Sequence, residues 1–264
     1  ARWKTATISL PWPSNNSELW RVLQCAPASF TQLETLHISV GVGASSVFPH
    51  DHVQRFDQLA MLHTPSLRKL RLDTWDSEWV IPSTWRKLRE VDLVIGVTSE
   101  ELFLLISGCP NLSKITARVY ESRLIDGPPT ITEDRTHDAL TALFIIHQHT
   151  VYLPYFYIPQ TPALQILSIV REPGEHWALE SMEIDIIHNN LLRIAQSSSS
   201  SLVHLTIHGC IFHDTALIRI LHLLTNIEHL DIEAKGIVLT SNVFIRLTPL
   251  PLLQSGAPHN SVSG

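Results

Sequence analysis

The chain has 264 residues, 44% of them hydrophobic and 17% charged, which suffices for a buried interior and is too weakly charged for a disordered polymer. Its formal net charge of −6, from 19 basic and 25 acidic residues, argues against a nucleic-acid partner, which calls for a basic stripe. No apolar run approaches the roughly eighteen residues of a membrane span, so no membrane partner is expected.

Taken in chain order, one hexamer spelled L-x-x-L-x-L, with Ile or Val as substitutes, recurs throughout. A weak copy opens the chain at Trp3, Ala6 and Ile8. Full copies follow as LETLHI from Leu33, LRKLRL from Leu67, LREVDL from Leu88 and LSKITA from Leu112. They continue as LTALFI from Leu140, LQILSI from Leu164, LVHLTI from Leu202 and IEHLDI from Ile227, with a weak copy at Leu247, Leu250 and Leu252. The eight full copies start 34, 21, 24, 28, 24, 38 and 25 residues apart, mostly within or near the range of leucine-rich repeats. Alternation within each copy predicts a short strand, because side chains two apart share a face.

Between copies the apolar spacing changes to that of helices. Leu19, Val22, Leu23 and Ala26 fall at i, i+3, i+4 and i+7 before Pro27, and a stretch from Val53 to Leu62 follows Asp51 in the same manner. Leu102, Leu105, Ile106 and Cys109 repeat the spacing behind a capping box of Thr98 and Glu101. Ile187, Leu191 and Ile194 mark another helix, closed by the serine run 197–201. Leu217, Ile220, Leu221 and Leu224 mark a last one, with Asp214 as its expected N-cap. Strand and helix in alternation, with parallel strands, require a right-handed crossover each time. A lone unit of this size cannot bury its apolar face, so neighbours must share it. The expected fold is α/β: one right-handed leucine-rich-repeat solenoid, a horseshoe with a parallel sheet on its concave face and helices on its convex face. It would span residues 1–253 in eight to ten irregular repeats, followed by a disordered tail at 254–264.

The segment SLVHLTIHGCIFHDTALIRILHLL followed by NIEHLDI resembles the cysteine-containing leucine-rich repeats of F-box proteins. Cys210 matches that family's cysteine after the strand, and SEELFLLISGCPNLSKI, with Cys109 and Pro110, resembles its passage from helix to next strand. RWKTATISLPWP and CAPASFTQLETLHI look like the divergent F-box proteins of mushroom-forming fungi. The resemblance implies a substrate-recognition scaffold of a ubiquitin-ligase adaptor. The F-box itself, which docks on the ligase scaffold, is not visible in the chain. The chain begins at Ala1 rather than methionine and without a signal-peptide layout, so an upstream segment is expected, and the ligase role holds only if an F-box lies in it. The alternative is a free-standing repeat scaffold or regulator with no ligase role.

In each hexamer the fourth and sixth residues face the core, so the third, fifth and seventh face outward. These read Thr35, His37, Ser39; Lys69, Arg71, Asp73; Glu90, Asp92, Val94; and Lys114, Thr116, Arg118. They continue as Ala142, Phe144, Ile146; Ile166, Ser168, Val170; His204, Thr206, His208; and His229, Asp231, Glu233. The partner-binding residues expected among them are Lys69, Arg71, Lys114, Arg118, Phe144, Ile146, Ile166, Val170, His204 and His208. Ala142, Phe144, Ile146, Ile166 and Val170 form an apolar patch between charged rows, the usual mark of an interaction surface for a protein partner. Cover by TEDRTHD or VYLPYFYIP, or a register shifted by one residue, would equally account for it.

Chemistry is sparse. His204, His208, His229 and Glu233 fall on adjacent strands, but an open face lacks the outer hydrogen bonds that zinc-ligating histidines normally need, so no metal is expected. His-Asp dipeptides at 50–51, 137–138 and 213–214 bear a passing likeness to metal phosphohydrolases, yet Asp51 and Asp214 serve as caps and the repeat pattern contradicts the helical bundle of such enzymes. There is no G-x-S-x-G, no H-E-x-x-H and no glycine-rich phosphate loop, so no enzyme and no cofactor are expected. Cys25, Cys109 and Cys210 lack metal spacing and read as reduced, buried thiols in the cytoplasm or nucleus. Asn15-Asn16-Ser17 and Asn111-Leu112-Ser113 fit the glycosylation triplet, without a secretory signal to support it. Trp79 and Trp85 are expected to pack on the convex side about Pro82, Trp3 and Trp12 to shield the first strand, and LTSNVFIRL to cover the last.

Overall fold

Aliphatic side chains at the first, fourth and sixth places of each hexamer can leave water together only if successive copies lie side by side in one register. A computed structural model describes residues 3–11, 30–41, 60–73, 83–119, 135–147, 158–171, 181–209 and 214–233, and in it they do so. The strands are β1 (Thr5–Pro11), β2 (Thr35–Gly41), β3 (Lys69–Leu72), β4 (Glu90–Val97) and β5 (Lys114–Val119). They continue as β6 (Ala142–His147), β7 (Ile166–Arg171), β8 (His204–His208) and β9 (His229–Glu233). Among the described residues they form one nine-stranded parallel sheet, ordered as in the sequence. The fold is α/β and solenoid-like. The weak first copy is a full strand, with Ala6 opposite Leu36 and Ile8 opposite Ile38.

Among the described residues three α-helices lie between strands: α1 (Ser99–Gly108), α2 (Ser181–Ser197) and α3 (Asp214–Leu223). In α1 the capping box forms as the sequence predicts. Glu101 N–H donates to Thr98 Oγ1 at 3.2 Å, and Thr98 N–H donates to Glu101 Oε2 at 2.6 Å. Leu102, Leu105, Ile106 and Cys109 are all buried, as their spacing requires. The 17 residues of α2 fill much of the 38-residue interval before Leu202. Asp214 is the first residue of α3 rather than the residue before it, so its carboxylate acts on the helix dipole from the first turn. The stretch predicted as a helix from Val53 is described only over Ala60–His63, where it is a 3-10 turn. A second 3-10 turn, Ser83–Lys87, buries Trp85, whose Nε1–H donates to the Leu62 carbonyl at 2.9 Å. Residues 19–26, Trp12, Trp79, Pro82, the copy at Leu247, the segment LTSNVFIRL and the tail lie outside the described residues.

Inside, the first, fourth and sixth residues of the copies from Leu33 through Leu202 are each at most 2% exposed and form one continuous cluster with the helices' apolar sides. Removing each such aliphatic side chain from water stabilises the fold by roughly 1.5–3 kcal/mol. The last described copy is less covered, with Leu230 of β9 43% exposed. At the other end Trp3 is 59% exposed, its ring 6.4 Å from that of Phe30, so it shields the first strand only partly.

Backbone bonds lock the copies together where each strand begins. The carbonyl of a hexamer's second residue accepts from two consecutive N–H groups of the next copy, those of its second and third residues. Glu34 O takes Arg68 N–H at 2.8 Å and Lys69 N–H at 3.0 Å, and Ser113 O takes Thr141 and Ala142 at 2.9 and 3.0 Å. The same pair of bonds joins every consecutive copy from Lys4 through Val203. A second set turns the chain into most strands. In the copies from Leu33, Leu67, Leu88, Leu112 and Leu164 the N–H of the first leucine donates to the carbonyl three residues earlier, as Leu88 does to Trp85 and Leu112 to Cys109, both at 2.9 Å. Leu202 N–H donates to Ser198 O, four residues earlier.

One copy makes that turn with a side chain. Leu140 N–H donates to His137 Nδ1 at 3.1 Å, so the ring's proton sits on Nε2, which donates to the Cys109 carbonyl at 3.0 Å. His137 is buried and ties two copies at once. Its neighbour Asp138 is an exposed turn residue, so this His-Asp pair is structural. Gly209, after β8, has a φ of +70°, and a Cβ there would meet Arg171 Cβ at 3.0 Å, so glycine is required.

Replacing His137 with alanine leaves the buried Leu140 N–H unsatisfied and the Cys109 carbonyl with the Leu112 bond alone, for an expected loss of roughly 1–3 kcal/mol in urea unfolding. His137→Asn, which restores an acceptor near Leu140, is expected to recover part of it; equal losses in the two variants would contradict this role.

Candidate functional site

The sheet's outward face follows from the alternation that buries its inward face. Three rows of outward residues run across the strands. The first links Thr35, Lys69, Glu90, Lys114, Ala142, Ile166, His204 and His229. The second links His37, Arg71, Asp92, Thr116, Phe144, Ser168, Thr206 and Asp231. The third runs from Arg118 through Ile146, Val170 and His208 to Glu233. With the fourth and sixth residues buried, these pairings exclude a register shifted by one residue. One expected residue is displaced: β4 bulges between Leu93 and Gly96, so Gly96, not Val94, stands opposite Arg118. The extra residues of a bulge take Val94 out of the row.

Charges toward the amino-terminal side of this face neutralise one another. Lys69 Nζ lies 2.6 Å from Glu90 Oε1, and Arg71 reaches Asp92 at 3.3 Å and Asp73 at 3.6 Å. His37 Nε2 lies 3.4 Å from the same Asp73 oxygen. Exposed pairs of this kind add little stability. Lys69 and Arg71, expected as partner-binding residues, are on the face as predicted but must exchange a carboxylate to contact a partner.

Lys114 is different. Glu90 stands opposite it but is taken by Lys69, and the Lys114 ammonium lies 5.4 Å from the centre of the Phe144 ring. This is a cation on the face of an aromatic ring. Beyond it the apolar patch is assembled as expected. Phe144, Ile146, Ile166 and Val170 are half-buried, and Ala142 is buried. The described parts of the two segments considered as covers are placed elsewhere. Thr136 bridges Gln160, and Ile158 joins the same buried cluster as the inward rows. Residues 132–134 and 151–157 lie outside the described residues.

Past the patch come the histidines. The His204 and His229 rings stack with centroids 4.3 Å apart and planes 13° from parallel. His208 instead approaches two carboxylates of β9, with Nε2 3.0 Å from Asp231 Oδ2 and Nδ1 3.9 Å from Glu233 Oε2. The four residues weighed for zinc are thus brought onto neighbouring strands but divided between a ring stack and an ion-pair cluster. No group of three or more His, Cys, Asp or Glu side chains among the described residues is arranged to hold a metal ion.

Sequence reasoning missed the polar ladder behind the strands. Asn111 and Asn226, each just before a copy's first residue, donate their side-chain N–H to Arg86 O at 2.6 Å and Ser200 O at 2.7 Å. Ser66 does the same to Thr31 O. An amide or hydroxyl directly before the first aliphatic residue, present in five copies as Gln32, Ser66, Asn111, Ser201 and Asn226, was the available signal. It also gives Asn111 of the glycosylation triplet a structural task.

No protein-family model and no curated protein matches the chain. Among the described residues, no helix is long and apolar enough to cross a membrane.

Burial sets the chemistry of Cys109, raising its thiol pKa to about 12 because a thiolate there would lose its hydration. The raised value favours the protonated form throughout the neutral range, so Cys109 should resist alkylation at pH 8 in the folded chain and react on denaturation. Peptide mapping by mass spectrometry checks this; rapid native labelling would show that the site opens. Cys25 and Cys210 lie outside the described residues.

Proposed function

We propose that the chain is a right-handed leucine-rich-repeat horseshoe that binds protein on its concave face, and that it is the substrate-recognition part of an F-box-type ubiquitin-ligase adaptor. The observation that carries the binding reading is the apolar patch of Phe144, Ile146, Ile166 and Val170 on the outward side of the sheet, half-buried and flanked by charged rows. Apolar side chains on the polar side of an alternating strand cost solubility unless a partner covers them. The residues named for contact are Lys114 and Arg118 before the patch, the patch itself, and His204 and His208 beyond it, with Lys69 and Arg71 at the margin. The ligase role rests on the likeness of residues 99–115, 201–224 and 226–232 to the repeats of F-box proteins.

Phe144→Asp tests the binding reading. An aspartate beside Lys114 can pair with it, so the melting temperature should hardly move. Capture of partner proteins by the immobilised chain, compared by quantitative mass spectrometry, should be lost. A large fall in stability would place Phe144 in the core, and undiminished capture would move the binding surface elsewhere. For the ligase role, the complete gene product should co-purify with a ubiquitin-ligase scaffold; failure to do so leaves a free-standing repeat scaffold.

A further inference from the structure

The outward face is chemically polarised. From β2 to β4 its charges pair among themselves: Lys69 with Glu90, Arg71 with Asp92 and Asp73. At β5 that self-pairing fails for Lys114, because the carboxylate opposite it already holds Lys69 at 2.6 Å. Its ammonium rests on the Phe144 ring at the border of the patch, a contact weaker than a charge-assisted bond to a carboxylate. Across the patch, β9 presents Asp231 and Glu233, with side chains 66% and 60% exposed. Among the described residues the group facing them is the His208 imidazole, a weaker base than a lysine ammonium or an arginine guanidinium.

From these positions we infer that the face selects an extended peptide segment with an acidic residue at one end, a basic residue about five residues away, and apolar side chains between them. This deepens the binding reading above and rests on it. The segment lies across the strands, its carboxylate on Lys114, its apolar residues on Phe144, Ile146, Ile166 and Val170, and its cation on Asp231 and Glu233. Dimensions set the spacing. Four strand intervals of about 4.8 Å separate β5 from β9, roughly 19 Å, and an extended chain covers that in about five or six residues. Complementary charge at both ends also rejects wrong partners, since an acid over β9 or a base over Lys114 meets its own sign.

Panning a random twelve-residue peptide library on the immobilised full chain tests this. Enriched binders should carry Asp or Glu and Lys or Arg about five residues apart with apolar residues between, in either direction along the peptide. Binding of a synthetic representative should fall about tenfold or more in Lys114→Glu and return when the peptide's acid is changed to lysine. Asp231→Lys with Glu233→Lys should behave reciprocally, regained when the peptide's base is changed to glutamate. If Lys114→Glu fails to fold by circular dichroism, Lys114→Gln should show the loss without the regain. Binders that are lost in Phe144→Asp yet lack the charge pattern, or ignore the charge exchanges, overturn this inference and leave the binding reading intact. An empty selection, or binders indifferent to Phe144→Asp, overturns both. A dimer in sedimentation that Phe144→Asp dissociates assigns the face to a second copy of the chain, and also overturns the inference.

Discussion

A carbonyl shared by two donors organises this molecule. At the start of each strand the second residue of one hexamer accepts the N–H groups of the second and third residues of the next, at 2.7–3.0 Å from copy to copy. Two bonds to one oxygen fix both the position and the phase of the incoming strand, so leucine follows leucine at the inward places and the outward rows align. Slippage by one residue would expose every aliphatic side chain of that copy. Hydrophobic burial supplies most of the stabilisation, but it is non-directional; the shared carbonyl gives it direction.

The outward face acquires its character from that alignment. Because the copies stack in one phase, the variable places of the hexamer become continuous rows, and a change of composition between copies becomes a change of chemistry along the face. The paired charges of β2 to β4 give way to Lys114 on Phe144, then to apolar residues, then to stacked histidine rings and the β9 carboxylates. Lys114 and Asp231 are far apart in sequence, yet they lie on one face, on either side of the patch and the β8 histidines, because an unbroken run of parallel strands joins β5 to β9. Fixed side chains on a hydrogen-bonded sheet offer a partner a surface whose ordering is largely complete before contact.

Most of this was legible in the sequence because the inward rows are written in side chains. Leu36, Leu143 and Leu205 could be placed from alternation alone, and the outward residues followed by parity. The helix α1 was legible for the same reason, its cap and apolar spacing being spelled out from Thr98 to Cys109. The shared carbonyls were not, since the residues bearing them are as unlike as Lys4, Glu34, Ser113, Thr141 and Val203. A backbone bond leaves no preference in the side chain above it. The β4 bulge that displaces Val94 was hidden likewise, as was the replacement of a turn carbonyl by His137 Nδ1. In the candidate site, the patch residues were found from the sequence, but the neutralisation of Lys69 and Arg71 depended on side-chain reach across strands.

Amide hydrogen exchange, resolved by residue, tests the central claim most directly. If the shared carbonyls lock the copies, the paired N–H groups of Arg89 and Glu90, Ser113 and Lys114, Thr141 and Ala142, and Gln165 and Ile166 should exchange slowly and together. Protection should fall toward β1 and β9, where a neighbouring strand is missing on one side among the described residues. Fast exchange at these pairs in the middle of the array, with protection confined to the helices, would contradict the account.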